Sequence, residues 1–305
     1  MTAPAVSFAE TVEKYLNVPR LPTIWCPGCG HGIVIGSLIR ALEETGIPRH
    51  ETVVISGIGC SGRAFGYFNT CSFQTTHGRA LAFATGVKLA NPRLTVVVLM
   101  GDGDCASIGG NHFIHACRRN IDLTAIVMNN DVYGMTGGQQ APTTPTGSVT
   151  STTPYGNPDP TFDLCQLARV AGASYVARTT TYHANQLQSY IRKALTHKGF
   201  ALVEAVGACP TQYGRMNRLG DAVKMLLWQK ENALSFQAAA KLSPSELAGR
   251  VLVGELVCEE RPEYVASYQQ VIEKARAARA ARVHSEESAS RPPAGRGTPG
   301  TGTGR

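Results

Sequence analysis

Apolar residues along this chain fall into short unbroken runs that alternate with stretches of helical spacing. Residues 94–100, Leu-Thr-Val-Val-Val-Leu-Met, are apolar on both faces of any extended strand, and residues 52–56, 122–128, 174–177 and 200–206 repeat the pattern. A strand without polar alternation is buried on both sides, which is the habit of parallel strands covered by helices. Between the runs, residues 32–44, 108–117, 162–171 and 183–196 space their apolar positions three and four apart, and each predicts a helix. Strand and helix in regular alternation predict an α/β fold, a doubly wound and mainly parallel sheet over residues 21–210. Residues 1–20 read as an N-terminal arm. Past Pro210 the pattern predicts a C-terminal helical extension over 211–273, with a helix over 222–234 and another N-capped by Ser243, packing on a partner.

The loops after two of the runs carry the first candidate chemistry. Gly101-Asp102-Gly103 closes the run at 94–100, and Asn129-Asn130 closes the run at 122–128. A right-handed βαβ crossover brings both strand ends to one edge of the sheet, so Asp102 and Asn130 face one site. The helix between them starts at Ile108-Gly109-Gly110 with little side chain, which leaves backbone N–H groups open to an anion. Asp102, Asn130 and the carbonyl of Val132 offer oxygen ligands to Mg²⁺, and phosphate would supply the remainder.

Nine cysteines supply the second signal. Cys26 and Cys29 form one Cys-x-x-Cys just before a predicted helix, Cys60 follows the strand at 52–56, and Cys209 follows the strand at 200–206. All four fall at the edge expected for the phosphate site. Four thiolates hold either zinc or an iron–sulfur cluster. One knuckle with two distant single cysteines matches the paired knuckles of structural zinc less well, and favours [4Fe–4S]. Cys71, Cys105, Cys117, Cys165 and Cys258 lack paired spacing and read as ordinary free thiols. His31, His112 and His115 read as packed or capping residues.

Seven segments together resemble one family. They are Trp25-Cys26-Pro27-Gly28-Cys29-Gly30-His31-Gly32, Gly57-Ile58-Gly59-Cys60-Ser61, Thr76-His77-Gly78-Arg79-Ala80, Gly101-Asp102-Gly103-Asp104, Gly109-Gly110-Asn111-His112, the stretch 129–139 beginning Asn129-Asn130-Asp131-Val132-Tyr133-Gly134-Met135-Thr136, and Cys209-Pro210-Thr211-Gln212-Tyr213-Gly214-Arg215. They are similar to the β subunit of 2-oxoacid:ferredoxin oxidoreductases, most of all the 2-oxoglutarate type, from about residue 20 to about 235. The resemblance implies the diphosphate-binding domain of thiamine diphosphate enzymes, with thiamine diphosphate, Mg²⁺ and one [4Fe–4S] cluster as cofactors. It implies oxidative decarboxylation of 2-oxoglutarate to succinyl-CoA and CO₂, or the reverse, with electrons leaving through the cluster to ferredoxin; pyruvate is the alternative substrate. Cys26, Cys29, Cys60 and Cys209 match the family's cluster ligands, and Asp102, Asn130 and Val132 its Mg²⁺ ligands. Ile58, Gly59, Cys60, Ser61, His77, Gly101, Gly103, Asp104, Tyr133, Gly134, Met135 and Thr136 fall on loops that would flank the coenzyme, and Arg63 where a cation would meet the substrate carboxylate. The loop at 139–146 would order over the bound cofactor.

One expected part is missing. Thiamine diphosphate needs a carboxylate at its pyrimidine ring, which enzymes of this class carry on a separate domain, and no length remains for one here. That glutamate is expected from an α subunit in an (αβ)₂ assembly. A non-redox thiamine decarboxylase subunit and a zinc-stapled interaction module are the competing readings. The net charge of +7 hints at nucleic acid until it is located: from Lys274 to Arg305 seven cations less Glu286 and Glu287 account for +5, which leaves +2 elsewhere. That tail is expected to be basic and disordered, with residues 274–279 as either a solvated helix or a contact for acidic surface on another protein. Nucleic acid and membrane are not expected partners, and the lack of a hydrophobic leader or a long apolar run predicts a cytoplasmic protein.

Overall fold

A computed structural model of the chain describes residues 7–290. It divides into two compact units, residues 1–265 and 266–305. The first is built on a sheet of eight strands in the order β2-β1-β3-β4-β8-β7-β10-β9. These are β1 (Thr52–Ser56), β2 (Cys71–Gln74), β3 (Thr95–Gly101), β4 (Leu123–Asn129), β7 (Tyr175–Thr180), β8 (Phe200–Val206), β9 (Ala233–Ser235) and β10 (Val251–Cys258). The six from β2 to β7 pair in parallel. A separate hairpin, β5 (Val132–Tyr133) with β6 (Gln139–Gln140), follows β4.

Helices cover both faces, as the unbroken apolar runs require. On one side lie α1 (Phe8–Tyr15), α2 (His31–Thr45) and α7 (Ala184–Thr196), whose Tyr15, Leu38 and Ile191 pack on Val97, Leu99 and Ile126. On the other lie α3 (Ala80–Ala90), α5 (Gly110–Arg119) and α6 (Leu164–Ala171), whose Ala84, Phe113 and Leu164 pack on Val96, Val98 and Val127. Consecutive residues of β3 thus feed opposite layers, the period of two expected of an extended strand. A short α4 (Asp102–Ala106) follows β3 directly, so the expected turn at Gly101–Gly103 is one turn of helix instead.

Three expectations are corrected. The N-terminal arm contains α1, which Ser7 and Glu10 close with a reciprocal capping box, and Tyr15 and Leu16 are part of the core. The sheet does not end at 210: β10 runs antiparallel to β7, with β9 beyond it. The remaining C-terminal helices of this unit, α8 (Ala222–Asn232), α9 (Phe236–Ala239) and α10 (Pro244–Leu247), are short. The basic segment from Lys274 is helical as far as Ser290, within α11 (Tyr264–Ser290), because Ala, Arg, Glu and Lys all favour helix strongly. Residues 1–6 of the arm and 291–305 of the tail lie outside the described residues. No described helix is long and apolar enough to cross a membrane.

Charges buried near the sheet are paired. The Arg178 Nε donates to Glu204 at 2.6 Å, and its Nη2 to Asp163. Removing Arg178 would strand the Glu204 carboxylate, which is 2% exposed, in the interior. Arg178→Leu is therefore expected to destabilise the fold by about 3–5 kcal/mol, seen as a lower urea midpoint; an unchanged midpoint would show that the pair contributes nothing.

Candidate functional site

The carboxyl ends of β1, β3 and β4 converge on a cavity of about 260 Å³, and β8 ends at the same edge of the sheet. The ladder continues just past the strands, with Gly57 N–H bonding the Leu99 carbonyl and Gly207 N–H that of Asn129, so the four loops leave from one edge. All fifteen residues expected to flank the coenzyme or hold its Mg²⁺ line the cavity, from Ile58 to Ser61, His77, Gly101 to Asp104, Asn130 and Val132 to Thr136. His31 and Met128 line it as well. Sequence reasoning set His31 aside, because only the tertiary fold shows that the first residue of α2 faces this cavity.

Backbone dominates the wall around Asp102. A Cβ on Gly103 would lie 2.4 Å from the Tyr133 ring, whose hydroxyl donates to the Gly103 carbonyl at 3.1 Å. The Asp102 carboxylate is buried and accepts a hydrogen bond from the Thr143 hydroxyl. Burial pushes its pKa up to about 6 against the opposing pull of that hydrogen bond. Thr143 belongs to the loop at 139–146, and its contact with Asp102 spans 41 residues, so no local pattern signals it.

Asp104 forms the second acidic point. Its Oδ1 accepts from the Gly78 N–H at 2.6 Å and lies 2.8 Å from His77 Nδ1, though not in line for a hydrogen bond. A Cβ on Gly57 would fall 1.5 Å from Asp104 Oδ2, so only glycine admits the carboxylate. Burial, the largest influence, raises the Asp104 pKa. Ser61 Oγ, His77 Nδ1 and Asp104 Oδ2 are all buried without a hydrogen-bond partner. Unpaired Ser61 and His77 atoms in one cavity are costly unless a polar ligand meets them, so the residues present fit a polar cofactor.

The four cysteines surround the same wall. A Cβ on Gly134 would stand 3.2 Å from Cys209 Sγ and 3.7 Å from Cys60 Sγ, and Cys26 Sγ and Cys209 Sγ each lie 3.8 Å from Thr211 Oγ1. The Trp25 indole N–H donates to the Cys60 carbonyl at 2.7 Å, which ties the Cys26–Cys29 knuckle to the β1 loop. Burial raises the Cys60 thiol to about 11, with the three neighbouring thiols adding to it, and burial raises Cys29 too. Among the described residues no three His, Cys, Asp or Glu side chains gather closely enough for one ion. Arg63 is exposed and is not on the cavity wall. Burial lowers the His31 pKa to about 4, so its ring is neutral.

A doubly wound sheet with a glycine-lined acidic cavity at its carboxyl edge defines the diphosphate-binding domain of thiamine enzymes. Residues 57–205 match the thiamine pyrophosphate enzyme family, C-terminal TPP binding domain. The 2-oxoglutarate synthase subunit KorB of Methanocaldococcus jannaschii is 51% identical over 261 residues, 86% of this chain and 97% of that protein. The KorB of Archaeoglobus fulgidus is 61% identical over 197 residues, 65% and 73% of the respective chains. A solved 2-oxoglutarate:ferredoxin oxidoreductase from Magnetococcus marinus, with 2-oxoglutarate, coenzyme A and succinyl-CoA bound, superposes with a TM-score of 0.76 at 32% identity, over 87% of this chain and 90% of that one. The chain belongs to the family of 2-oxoacid:ferredoxin oxidoreductase β subunits, in its 2-oxoglutarate-type KorB branch.

Thr143→Val keeps the volume and removes the hydrogen bond to Asp102. A hydrogen bond to a charged group contributes about 1.5–3 kcal/mol, so Mg²⁺-dependent thiamine diphosphate affinity is expected to fall about tenfold or more in calorimetry. Unchanged affinity would show that Thr143 does not set the carboxylate.

Proposed function

We propose that this chain is the β subunit of a coenzyme A-dependent 2-oxoglutarate:ferredoxin oxidoreductase. The observation that carries the reading is the shared wall: Asp102 and Asn130 line the same cavity as Cys60, and Gly134 separates that cavity from Cys209. A two-electron oxidation in one-electron steps needs an acceptor beside the reacting centre, and a cluster on this wall would answer that need.

Thiamine diphosphate, when bound, supplies the electron sink that lets a 2-oxoacid lose CO₂. Asp102, Asn130 and the Val132 carbonyl would hold Mg²⁺, the oxygen set that a hard cation prefers. Ser61 and His77 offer unpaired polar atoms to the cofactor, while Ile58 and Met135 contribute apolar surface. Cys26, Cys29, Cys60 and Cys209 would ligate one [4Fe–4S] cluster; one Cys-x-x-Cys with two distant cysteines matches a cluster better than the paired knuckles of structural zinc, and so favours the redox reading over a non-redox decarboxylase or a zinc-stapled module. Exposed Arg63 makes no ion pair among the described residues and is the cation proposed for the substrate carboxylate.

The cavity wall holds no glutamate; its carboxylates are Asp102 and Asp104. The pyrimidine-side glutamate is therefore assigned to an α subunit, in an (αβ)₂ assembly with ferredoxin as electron acceptor. The α/β complex, purified anaerobically, is expected to reduce methyl viologen with 2-oxoglutarate and coenzyme A well above its rate with pyruvate. The β chain alone is expected to give no turnover, and Cys60→Ser to lose iron from about four per chain. Colourless protein with one zinc, turnover by the lone chain, or equal rates with pyruvate would contradict the reading.

A further inference from the structure

The Cys26–Cys29 knuckle reaches the surface, and the elements packed around it carry cations that form no ion pair among the described residues. Cys26, Pro27 and Gly28 are exposed. A Cβ on Gly28 would lie 2.3 Å from the Ala222 Cβ, so the N-terminus of α8 rests on the knuckle. Toward the other end of α8, Gln229 accepts from the Thr181 hydroxyl at 3.1 Å, and Thr181 lies directly against Gly30. The helix therefore runs alongside the knuckle from end to end.

Its outward face is of two kinds. Val223, Leu227 and Trp228 are 65%, 44% and 47% exposed, and Ile24, two residues before Cys26, is 65% exposed. Around this apolar centre stand Lys224 and Lys230 on α8, with Arg215 and Arg218 on the segment that follows Cys209, all exposed. Among the described residues none of the four takes part in an ion pair, and the ion pairs there lie at other places on the unit. Arg215 has only a 3.5 Å contact with Gln212, and Lys230 lies 5.8 Å from the centre of the Tyr182 ring. The nearby carboxylates are Asp221, engaged in capping α8 through the Lys224 N–H at 2.8 Å, and Glu231.

We infer that this face of α8 and residues 215–218 is the docking surface for the acidic electron acceptor, ferredoxin, and that electrons leave through the exposed Cys26 side of the knuckle. The inference rests on the proposed function above and names the surface that serves it. An apolar centre with a rim of unpaired charge gives a small, fast and reversible encounter, because rim charges steer association and add little to lifetime. Electron-transfer encounters are of this kind. A permanent α-subunit interface would instead place four cations in its core, against the depletion of charge at interface cores.

The test uses the assembled α/β holoenzyme carrying Arg215→Glu, Lys224→Glu and Lys230→Glu together, with Lys224→Gln and Lys230→Gln as a milder variant should the reversal fail to fold. KM for ferredoxin is expected to rise about tenfold or more, and its dependence on ionic strength to flatten. Methyl viologen reduction and the elution of the complex should stay as in the wild type. An unchanged ferredoxin KM in both variants, a parallel loss of viologen reduction, or failure of a folded variant to join the α subunit would overturn the proposal; the last would make this face the subunit interface. Wild-type complex that fails to reduce viologen would refute the functional reading itself, and the docking surface with it.

Discussion

The parallel pairing of β1, β3, β4 and β8 is the constraint on which everything else rests. Four adjacent strands that share a direction must end at one edge, and their loops are the only backbone free to turn there. The register puts Gly57, Gly101, Asn129 and Gly207 at the ends of those strands. Cys60, Asp102, Asn130 and Cys209, spread over 150 residues of sequence, are neighbours for that reason alone. The apolar layers on both faces hold the strands in this register, since a slip by one residue would turn Val97 and Val98 into each other's cores.

The site is a place where the fold departs from its own preferences. Asp102 is a carboxyl whose pKa burial raises to about 6, and Ser61, His77 and Asp104 each leave a buried polar atom unpaired. Elsewhere the protein resolves the same difficulty internally: Glu204 has Arg178, and Lys88 has Asp122 at 2.8 Å. The contrast separates groups that finish their bonding within the chain from groups that do not. Of the described atoms of the second kind, those of Ser61, His77 and Asp104 gather in one cavity, the physical signature of a polar ligand site, while Tyr15 Oη, Ser56 Oγ and Gln229 Nε2 lie elsewhere.

Much of this was legible in the sequence, for a local reason. Double-sided burial makes the strands of a parallel sheet continuous apolar runs, so β1 and β8 are read to the residue and β3 and β4 to within one. Glycines next to Asp102 and the cysteines after strand ends needed only the rule that crossovers deliver loops to one edge. The parts that were not legible depend on distant contacts. The strand β10 belongs to the sheet because it meets β7, some 75 residues earlier, and its run at 251–258 sits among helical patterns. The capping box of α1 is a local signal that went unread, whereas Thr143 and His31 join the site through packing that no window of sequence contains.

Fold, cavity and cysteines join in one claim, that coenzyme and cluster share a wall built by the Cys60 loop and Gly134. The most direct measurement is the electron paramagnetic resonance spectrum of the dithionite-reduced, iron-reconstituted chain, recorded with and without saturating thiamine diphosphate and Mg²⁺. The account predicts that filling the cavity shifts the cluster's g values, because the Cys60 loop is common to both. A full cluster signal left identical by tightly bound coenzyme would contradict it.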